Sequence, residues 1–262
     1  MPLPISIQLY TVREQMKDGN HAAVLKRIAD IGYTAVEGGP GYGLDAKGFR
    51  ALVESLGMRI SSTHGAKPTA ENVQQLIDTA KDLGCAYTIC SYRPEDFADA
   101  DTTRRLGERL APLVERMTAA GVTFCLHNHW WEFIRLGGRL PYEHLLETCP
   151  KMQLQIDTYW ACNFGAEVPA QMVSQFKSRT PLLHLKDGSF VKGEPMVACG
   201  SGKQDFPTVV AAADPKLLTW LIVELDECAG DMLQAVADSY VYLVGMGLAS
   251  GTKPAQRARN AT

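Results

Sequence analysis

Met152-Gln-Leu-Gln-Ile156 is a short apolar run of strand length, and the next residue, Asp157, is a carboxylate. Three further apolar runs end in the same manner, on Glu132, His184 and Glu224, and the four ionisable groups are 25, 27 and 40 residues apart. A strand with its crossover helix takes about 30 residues. The spacing therefore predicts successive β/α units that each place one ionisable group at the same end of a parallel sheet.

The same alternation of strand-like and helix-like patterns extends over the whole chain. Predicted strands cover residues 5–9, 34–37, 59–63, 87–91, 123–127, 154–157, 182–186 and 219–225. Helical patterns follow each of them, at about 22–31, 45–57, 70–83, 101–120, from 141, from 169, from 205 and at 231–245, and several end at a glycine. Eight such units favour a closed barrel over an open sheet. We therefore predict an α/β chain with a single (β/α)8 TIM barrel over residues 1–250 and a disordered polar tail over 251–262.

Composition and charge exclude several classes of protein. The net charge of −3 and the pI of about 6.1 argue against non-specific nucleic-acid binding. The seven cysteines are scattered and form no C-x-x-C pair, which favours a reducing compartment, and we expect a cytoplasmic protein. We expect neither a signal peptide nor a membrane span, because no basic region precedes an apolar run and no apolar run reaches about 18 residues.

The four strand-end groups form a plausible metal-ligand set. Active sites of such barrels lie at the carboxyl ends of the strands. Three carboxylates and one imidazole suit Mn²⁺ or Mg²⁺, with Co²⁺ and Zn²⁺ as further candidates. We predict that Glu132, Asp157, His184 and Glu224 hold one divalent ion. The alternative is that they are ordinary polar residues solvated at the barrel rim.

Other polar and aromatic side chains stand at neighbouring strand ends. We predict substrate contacts for six of them: Glu37, His64, His127, His129, Trp160 and Lys186. Indole rings offer an apolar face to a sugar ring and an N–H to its hydroxyls. Packing or hydrogen bonding at the rim is the alternative for each of the six. Gly200-Ser-Gly-Lys203 lies where barrels often bind phosphate, but it lacks P-loop spacing, so we predict a flexible connection.

These residues resemble motifs of one known family. Its members are the xylose isomerase-like TIM barrels, specifically proteins described as sugar phosphate isomerases/epimerases. The resemblance covers nearly the whole chain. The matching segments are Leu126-His-Asn-His-Trp-Trp-Glu-Phe133, Gln155-Ile-Asp-Thr-Tyr-Trp160, Leu183-His-Leu-Lys-Asp187, Gly200-Ser-Gly-Lys-Gln-Asp205 and Ile222-Val-Glu-Leu-Asp-Glu-Cys228.

The resemblance implies a metal held by Glu, Asp, His and Glu from strands five to eight. Asp157, His184 and Glu224 match the last three positions directly. For the first position the nearest glutamate is Glu132, just beyond strand five, with His127 or His129 as the alternative ligand.

The resemblance also implies an activity. We expect a metal-dependent sugar isomerase or epimerase that moves a proton next to a carbonyl through an enediolate, with Glu132 and Glu224 as base and acid. A lyase or hydratase acting on a keto-sugar or 3-keto-glycoside, and a non-catalytic sugar-binding barrel, are the alternatives. The expected partner is a small sugar-like molecule, with no nucleic acid or membrane, and a homo-oligomer stays open. Endonuclease IV chemistry is disfavoured, because Trp160 stands where that enzyme has a metal-binding histidine.

Overall fold

Strand pairing closes the sheet on itself. In the computed structural model, which describes residues 2–255, the strands follow the order β2-β3-β4-β5-β6-β7-β8-β1, and β1 also pairs with β2. All of these pairings are parallel. The predicted (β/α)8 TIM barrel is confirmed. Its strands are β1 Leu3–Gln8, β2 Ala35–Glu37, β3 Arg59–His64, β4 Tyr87–Cys90, β5 Thr123–His127, β6 Gln153–Asp157, β7 Leu182–Leu185 and β8 Trp220–Val223.

Eight α-helices surround the barrel in the part of the chain that the structure describes. They are α1 His21–Ile31, α2 Ala46–Ser55, α3 Val73–Leu83, α4 Ala100–Ala119, α5 Pro141–Thr148, α6 Pro169–Phe176, α7 Phe206–Ala211 and α8 Met232–Gly245. No helix within residues 2–255 is long and apolar enough to span a membrane.

Element boundaries differ from the predicted ones by a few residues. Helix α3 begins at Val73 instead of residue 70, because Thr69 and Asn72 bond each other's backbone N–H groups and hold a turn there. A ninth strand, β9 (Ala249–Ser250), pairs with β1 and was not predicted, since two residues carry no periodic signal. Single 3-10 turns, such as Trp131–Phe133, were missed for the same reason.

The barrel interior is divided into an apolar base and a polar top. A small cluster of buried side chains fills the base: Ile89, Cys125, Leu182 and Ile222. Leu183, Leu185 and Val223 face outward and join the larger core between strands and helices. Since inward-facing residues alternate along each strand, the next inward positions are His127, His184 and Glu224. Alternation therefore brings the ionisable groups to one level near the carboxyl ends of the strands.

The described part of the predicted tail packs against the barrel. The Thr252 N–H donates to the Gly32 carbonyl at 2.8 Å, and the Tyr240 hydroxyl donates to the Lys253 carbonyl at 2.6 Å. Residues 251–255 thus contact α8 and the end of α1. The rest of the predicted tail, 256–262, lies outside the described residues.

One helix pair packs too closely for a side chain. A Cβ placed on Gly107 of α4 would lie 2.0 Å from the Thr148 Oγ1 and 2.9 Å from the Leu145 carbonyl oxygen of α5.

Gly107→Ala should therefore lower the free energy of unfolding by about 1–3 kcal/mol, although alanine is the better helix former. Urea denaturation measures this. Gly245→Ala, whose Cβ would make an ordinary 3.5 Å contact, is the control and should leave stability unchanged or slightly raised. Equal effects of the two substitutions would contradict the close packing.

Candidate metal centre

Strand register brings four potential ligands together. Asp157 of β6 pairs with His184 of β7, and His127 of β5 pairs with Gln155 of β6. His127, Asp157, His184 and Glu224 each offer one ligand atom, and these four atoms all lie within 4.8 Å of one another. All four residues are buried. Three of the four predicted ligands, Asp157, His184 and Glu224, belong to this group, and His127 takes the place of Glu132.

His184 lies between two carboxylates. Its Nδ1 is 2.7 Å from the Glu224 Oε2, and its Nε2 is 3.0 Å from the Glu37 Oε1. Burial opposes the charged imidazole, but the two carboxylates outweigh it and raise the pKa of His184 to about 10. His184 is therefore fixed in orientation, with one nitrogen on the Glu37 side and the other on the Glu224 side.

Glu37 belongs to this orienting network. It is fully buried at the end of β2 and accepts hydrogen bonds from the side chains of Gln8, Ser62 and Gln155 in addition to its contact with His184. Burial raises its pKa, but His184 and then His64 outweigh that effect and hold the pKa well below its ordinary range. Glu37 was predicted to contact substrate. The structure instead places it behind His184, because four neighbouring side chains surround its carboxylate.

Asp157 has one engaged oxygen and one open oxygen. Its Oδ1 accepts the backbone N–H groups of Tyr159 at 3.0 Å and Trp160 at 2.9 Å. Its Oδ2 is 3.0 Å from the Lys186 Nζ, yet it has no well-aligned hydrogen-bond partner within residues 2–255. Burial raises the pKa of Asp157 to about 6 despite Lys186. A buried oxygen in this position is suited to a metal ion.

His127 has its ring oriented by Gln155. The His127 Nδ1 is 2.9 Å from the Gln155 Oε1, and Gln155 in turn donates to Glu37. Since that amide oxygen can only accept, Nδ1 carries the proton and the Nε2 lone pair is open. Burial, followed by the effect of His184, holds the pKa of His127 well below its ordinary value. His127 is therefore a neutral imidazole of the kind that binds metals.

Lys186 brings a positive charge into the cluster. Its Nζ lies 2.9 Å from the Glu224 Oε2, and 2.9 and 2.8 Å from the two oxygens of Asp226. Burial opposes the charged form, but Asp157, Glu224 and Asp226 keep the pKa of Lys186 well above its ordinary value. A buried ammonium surrounded by carboxylates reduces the repulsion among them.

Glu132 lies beside the cluster and outside it. It stands on the 3-10 turn after β5, where its Oε2 accepts the His129 N–H at 2.9 Å. Burial raises the pKa of Glu132 well above its ordinary value. The second Glu132 oxygen is buried without a hydrogen-bond partner within residues 2–255. The geometry nevertheless favours His127 as the fourth ligand, because His127 and not Glu132 belongs to the group whose ligand atoms lie within 4.8 Å of one another. The sequence left this alternative open.

A cavity of about 660 Å³ opens beside the cluster. Its polar lining includes Gln8, Arg13, His64, His127, His129, Lys186, Glu224 and Asp226, and its apolar lining includes Tyr10 and Tyr42. His64, His127, His129 and Lys186 thus lie where substrate contacts were predicted. Glu132, Glu37 and Trp160 do not line the cavity.

Trp160, for which a substrate contact was predicted, packs against other side chains instead. Its ring lies 5.4 Å from that of Tyr159 and 6.0 Å from that of Phe164, and the Lys186 Nζ is 5.5 Å from its centroid. His129 instead stacks on Trp131 at 4.3 Å and presents a neutral ring to the cavity, since burial and then Lys186 lower the pKa of His129 to about 4. Trp131, Tyr159 and Trp160 therefore pack beside the cluster without lining the cavity.

Three residues that hold the side chains of the cluster in place were not predicted from the sequence. Gln8 and Gln155 orient Glu37, and Asp226 holds Lys186. Asp226 shares its strand parity with Glu224, so alternation could have identified it. The two glutamines carried no such signal, because their role depends on Glu37, which comes from another strand.

The residues present fit a divalent metal ion. His127 and Asp157 each direct an open lone pair toward the cluster, and Glu37 orients His184 as carboxylates commonly orient metal-binding histidines. Two imidazoles and two carboxylates are more nitrogen-rich than the set expected from the sequence. Such a set suits Mn²⁺, Fe²⁺, Co²⁺ or Zn²⁺ better than Mg²⁺.

Comparison with family models identifies the barrel. A model described as xylose isomerase-like TIM barrel matches residues 25–239. The chain belongs to this family. The match spans the strands that carry Glu37, His127, Asp157, His184 and Glu224. No curated protein sequence matches the chain.

Solved structures share the family fold at low sequence identity. A sugar phosphate isomerase/epimerase from Parabacteroides distasonis superposes with a TM-score of 0.77 and 24% identity, over 95% of this chain and 96% of that one. An L-ribulose 3-epimerase gives 0.70 and 16%, over 95% of each chain. A probable 3-DHS dehydratase from Bacillus anthracis gives 0.71 and 12%, over 92% and 99%. At these identities the likeness shows the fold alone.

Two matched substitutions separate the candidate ligands of this xylose isomerase-like barrel. His127→Ala removes an open imidazole nitrogen and should weaken Mn²⁺ or Co²⁺ binding by at least about tenfold. Glu132→Gln keeps the oxygen that accepts the His129 N–H and should change the metal affinity by less than about threefold. Isothermal titration of both variants measures this. The reverse pattern would make Glu132 the ligand.

Proposed function

We propose that this protein is a divalent-metal-dependent sugar isomerase or epimerase that transfers a proton next to a carbonyl group through an enediolate. The observation that carries the proposal is the convergence of His127, Asp157, His184 and Glu224, two of which, His127 and Glu224, line a cavity large enough for a sugar. Family membership supports the same class of activity. A divalent ion held by these residues would supply positive charge to the oxygen on which negative charge develops.

Glu224 is the first proton-transfer group in this proposal. It lines the cavity, and although burial raises its pKa, Lys186 and then His184 hold the pKa well below the ordinary range. Glu224 is therefore ionised at neutral pH and can accept a proton from a carbon next to a carbonyl. Lys186, whose Nζ is 2.9 Å from the Glu224 Oε2, keeps the carboxylate in place and bears a second positive charge facing the cavity.

The second proton-transfer group must approach from another direction for epimerisation. Glu132 was expected in this role, but it does not line the cavity. His64 and His129 do line it, and the ring of each lies within 5.4 Å of the His127 ring, so both flank the cluster. We assign the second role, delivery of a proton to the opposite face of the carbon, to His64, because the Glu37 Oε1 lies 3.8 Å from its Nδ1 and holds the ring at the cavity wall.

Metal binding in this proposal requires loss of a proton from His184. The raised pKa of about 10 means that His184 is protonated at neutral pH in the metal-free protein, whereas a ligand imidazole must be neutral. Metal affinity should therefore rise by about tenfold per pH unit between roughly pH 7 and pH 9, and close to one proton should be released per ion. Below pH 6, protonation of Asp157 should steepen the dependence. Titration calorimetry in HEPES and in Tris measures the released protons, and an affinity that is flat across this range would contradict the assignment.

Proton transfer has a direct isotopic signature. When the Mn²⁺-loaded protein processes a ketose in D₂O, deuterium should appear at the carbon next to the carbonyl, as measured by NMR. Glu224→Gln removes the base and should reduce the exchange rate by at least about a hundredfold, while substrate affinity changes much less.

Controls distinguish the base from the metal site. Because Glu224→Gln also weakens the metal site, each rate is compared at matched metal occupancy. His64→Gln should block epimerisation while leaving exchange at the first carbon, and Glu132→Gln should keep both. An epimerised product formed without deuterium in the wild-type protein would contradict the two-sided proton-transfer route.

A further inference from the structure

The ammonium group of Lys186 lies against the carboxylates that a metal ion would need. Lys186 directly follows β7, and alternation along the strand puts it on the same inward face as His184. Its Nζ is 3.0 Å from the Asp157 Oδ2 and 2.9 Å from the Glu224 Oε2. The side chain is almost completely buried, so little water screens its charge from these oxygens.

At Asp157 the ammonium and a metal ion need the same oxygen. The Asp157 Oδ1 already accepts two backbone N–H groups, from Tyr159 and Trp160, which leaves Oδ2 for a ligand bond. At Glu224 the Oε2 faces both Lys186 and the His184 Nδ1. A divalent ion beside an ammonium at contact distance is strongly repelled in a buried site. Lys186 and the ion therefore compete for the Asp157 Oδ2.

Asp226 gives the ammonium a second partner. The Lys186 Nζ donates hydrogen bonds to both Asp226 oxygens, at 2.9 and 2.8 Å, whereas it approaches Asp157 and Glu224 as a charge without well-aligned hydrogen bonds in the described chain. Asp226 does not belong to the ligand group, and it lines the cavity. Lys186 can therefore keep its bonds to Asp226 when it gives up its two contacts with the ligand carboxylates.

We propose that Lys186 is an internal cation that holds the Asp157 and Glu224 carboxylates in place, and that a divalent ion displaces it toward Asp226. This inference rests on the metal centre of the proposed function and adds a competing group to that centre. The barrel then keeps its ligands arranged when an ion leaves, because one cation replaces another. The ion also binds more weakly than it would if the ligand carboxylates had no internal partner.

Lys186→Met tests the competition, because methionine keeps an unbranched chain and removes the charge. Removal of the competing ammonium should raise the Mn²⁺ affinity by at least about tenfold, measured by titration calorimetry at one fixed pH. In EDTA the Tm of this variant should fall, because the clustered carboxylates lose a counter-charge. The two changes have opposite effects on the site. A lysine with a merely structural role would lower the metal affinity and the Tm together.

Asp226→Asn tests the second partner of the ammonium. Without the Asp226 charge, Lys186 depends more on Asp157 and Glu224, so the Mn²⁺ affinity should fall by at least about fivefold. In the Lys186→Met background the same substitution should change the affinity by less than about twofold, because no ammonium remains to be displaced. An equally large effect of Asp226→Asn in both backgrounds would mean that Asp226 acts on the ion directly, and would overturn the inference.

Arg13→Met is the control for the general charge of the cavity. Arg13 lines the same cavity, but it donates to the backbone carbonyls of Tyr10 and Asp226 and contacts no ligand carboxylate among the described residues. Its loss should change the Mn²⁺ affinity by less than about threefold. An affinity that is unchanged or lower in Lys186→Met would overturn the inference. If Lys186→Met does not fold, Asp226→Asn decides the question, and an unchanged affinity in that variant would overturn it.

The outcomes separate this inference from the proposed function. Mn²⁺ affinities that are the same in the wild type, Lys186→Met and Asp226→Asn would overturn the inference and leave the proposed function standing. A rise in affinity in Lys186→Met, without deuterium exchange by the Mn²⁺-loaded wild type, would support the inference and count against the proposed function. No Mn²⁺ binding by any of these proteins would overturn both.

Discussion

The carboxylate–imidazole–carboxylate chain formed by Glu37, His184 and Glu224 is the interaction on which the rest of the site depends. It joins strands β2, β7 and β8 across the barrel, and its members are almost completely buried. Buried charges are costly unless they are paired, and breaking such a pair by removing one partner costs about 3–5 kcal/mol. Gln8, Ser62 and Gln155 bond to Glu37, and Lys186 contacts Glu224. Gln155 also orients the candidate ligand His127, and Lys186 also contacts the candidate ligand Asp157.

Much of this architecture follows from the sequence because it depends on local patterns. Eight alternating strand and helix signals with glycine-terminated helices predict the barrel, and strand parity predicts that His184 and Glu224 face inward. Parallel strands then bring their carboxyl ends to one rim, which is why the sequence predicts that Asp157, His184 and Glu224 lie close together, as they do in the structure. The aspartate N-caps Asp45 and Asp205 are local in the same sense, since an N-cap bonds an N–H group only three residues further along the chain.

The remaining features depend on which side chains meet across the barrel. Glu132 and His127 are five residues apart, and only the 3-10 turn after β5 decides that the carboxylate bonds to the His129 N–H while the imidazole faces the cluster. Glu37 was assigned to substrate because its strand end faces the cavity region, yet three hydrogen-bonding side chains from β1, β3 and β6 enclose it. Asp187 appeared in the sequence only as part of a motif. Its carboxylate accepts the N–H groups of Gly200 and Gly202, and this could not be predicted because it depends on the path of the β7–α7 loop.

Pulsed EPR of Mn²⁺ bound to the protein tests the central claim most directly, because it detects the imidazole nitrogens coordinated to the metal ion. The geometry predicts two of them, from His127 and His184, and one should disappear in His127→Ala while both persist in Glu132→Gln. A spectrum with a single coordinated nitrogen in the wild-type protein, unchanged by His127→Ala, would contradict the four-residue centre.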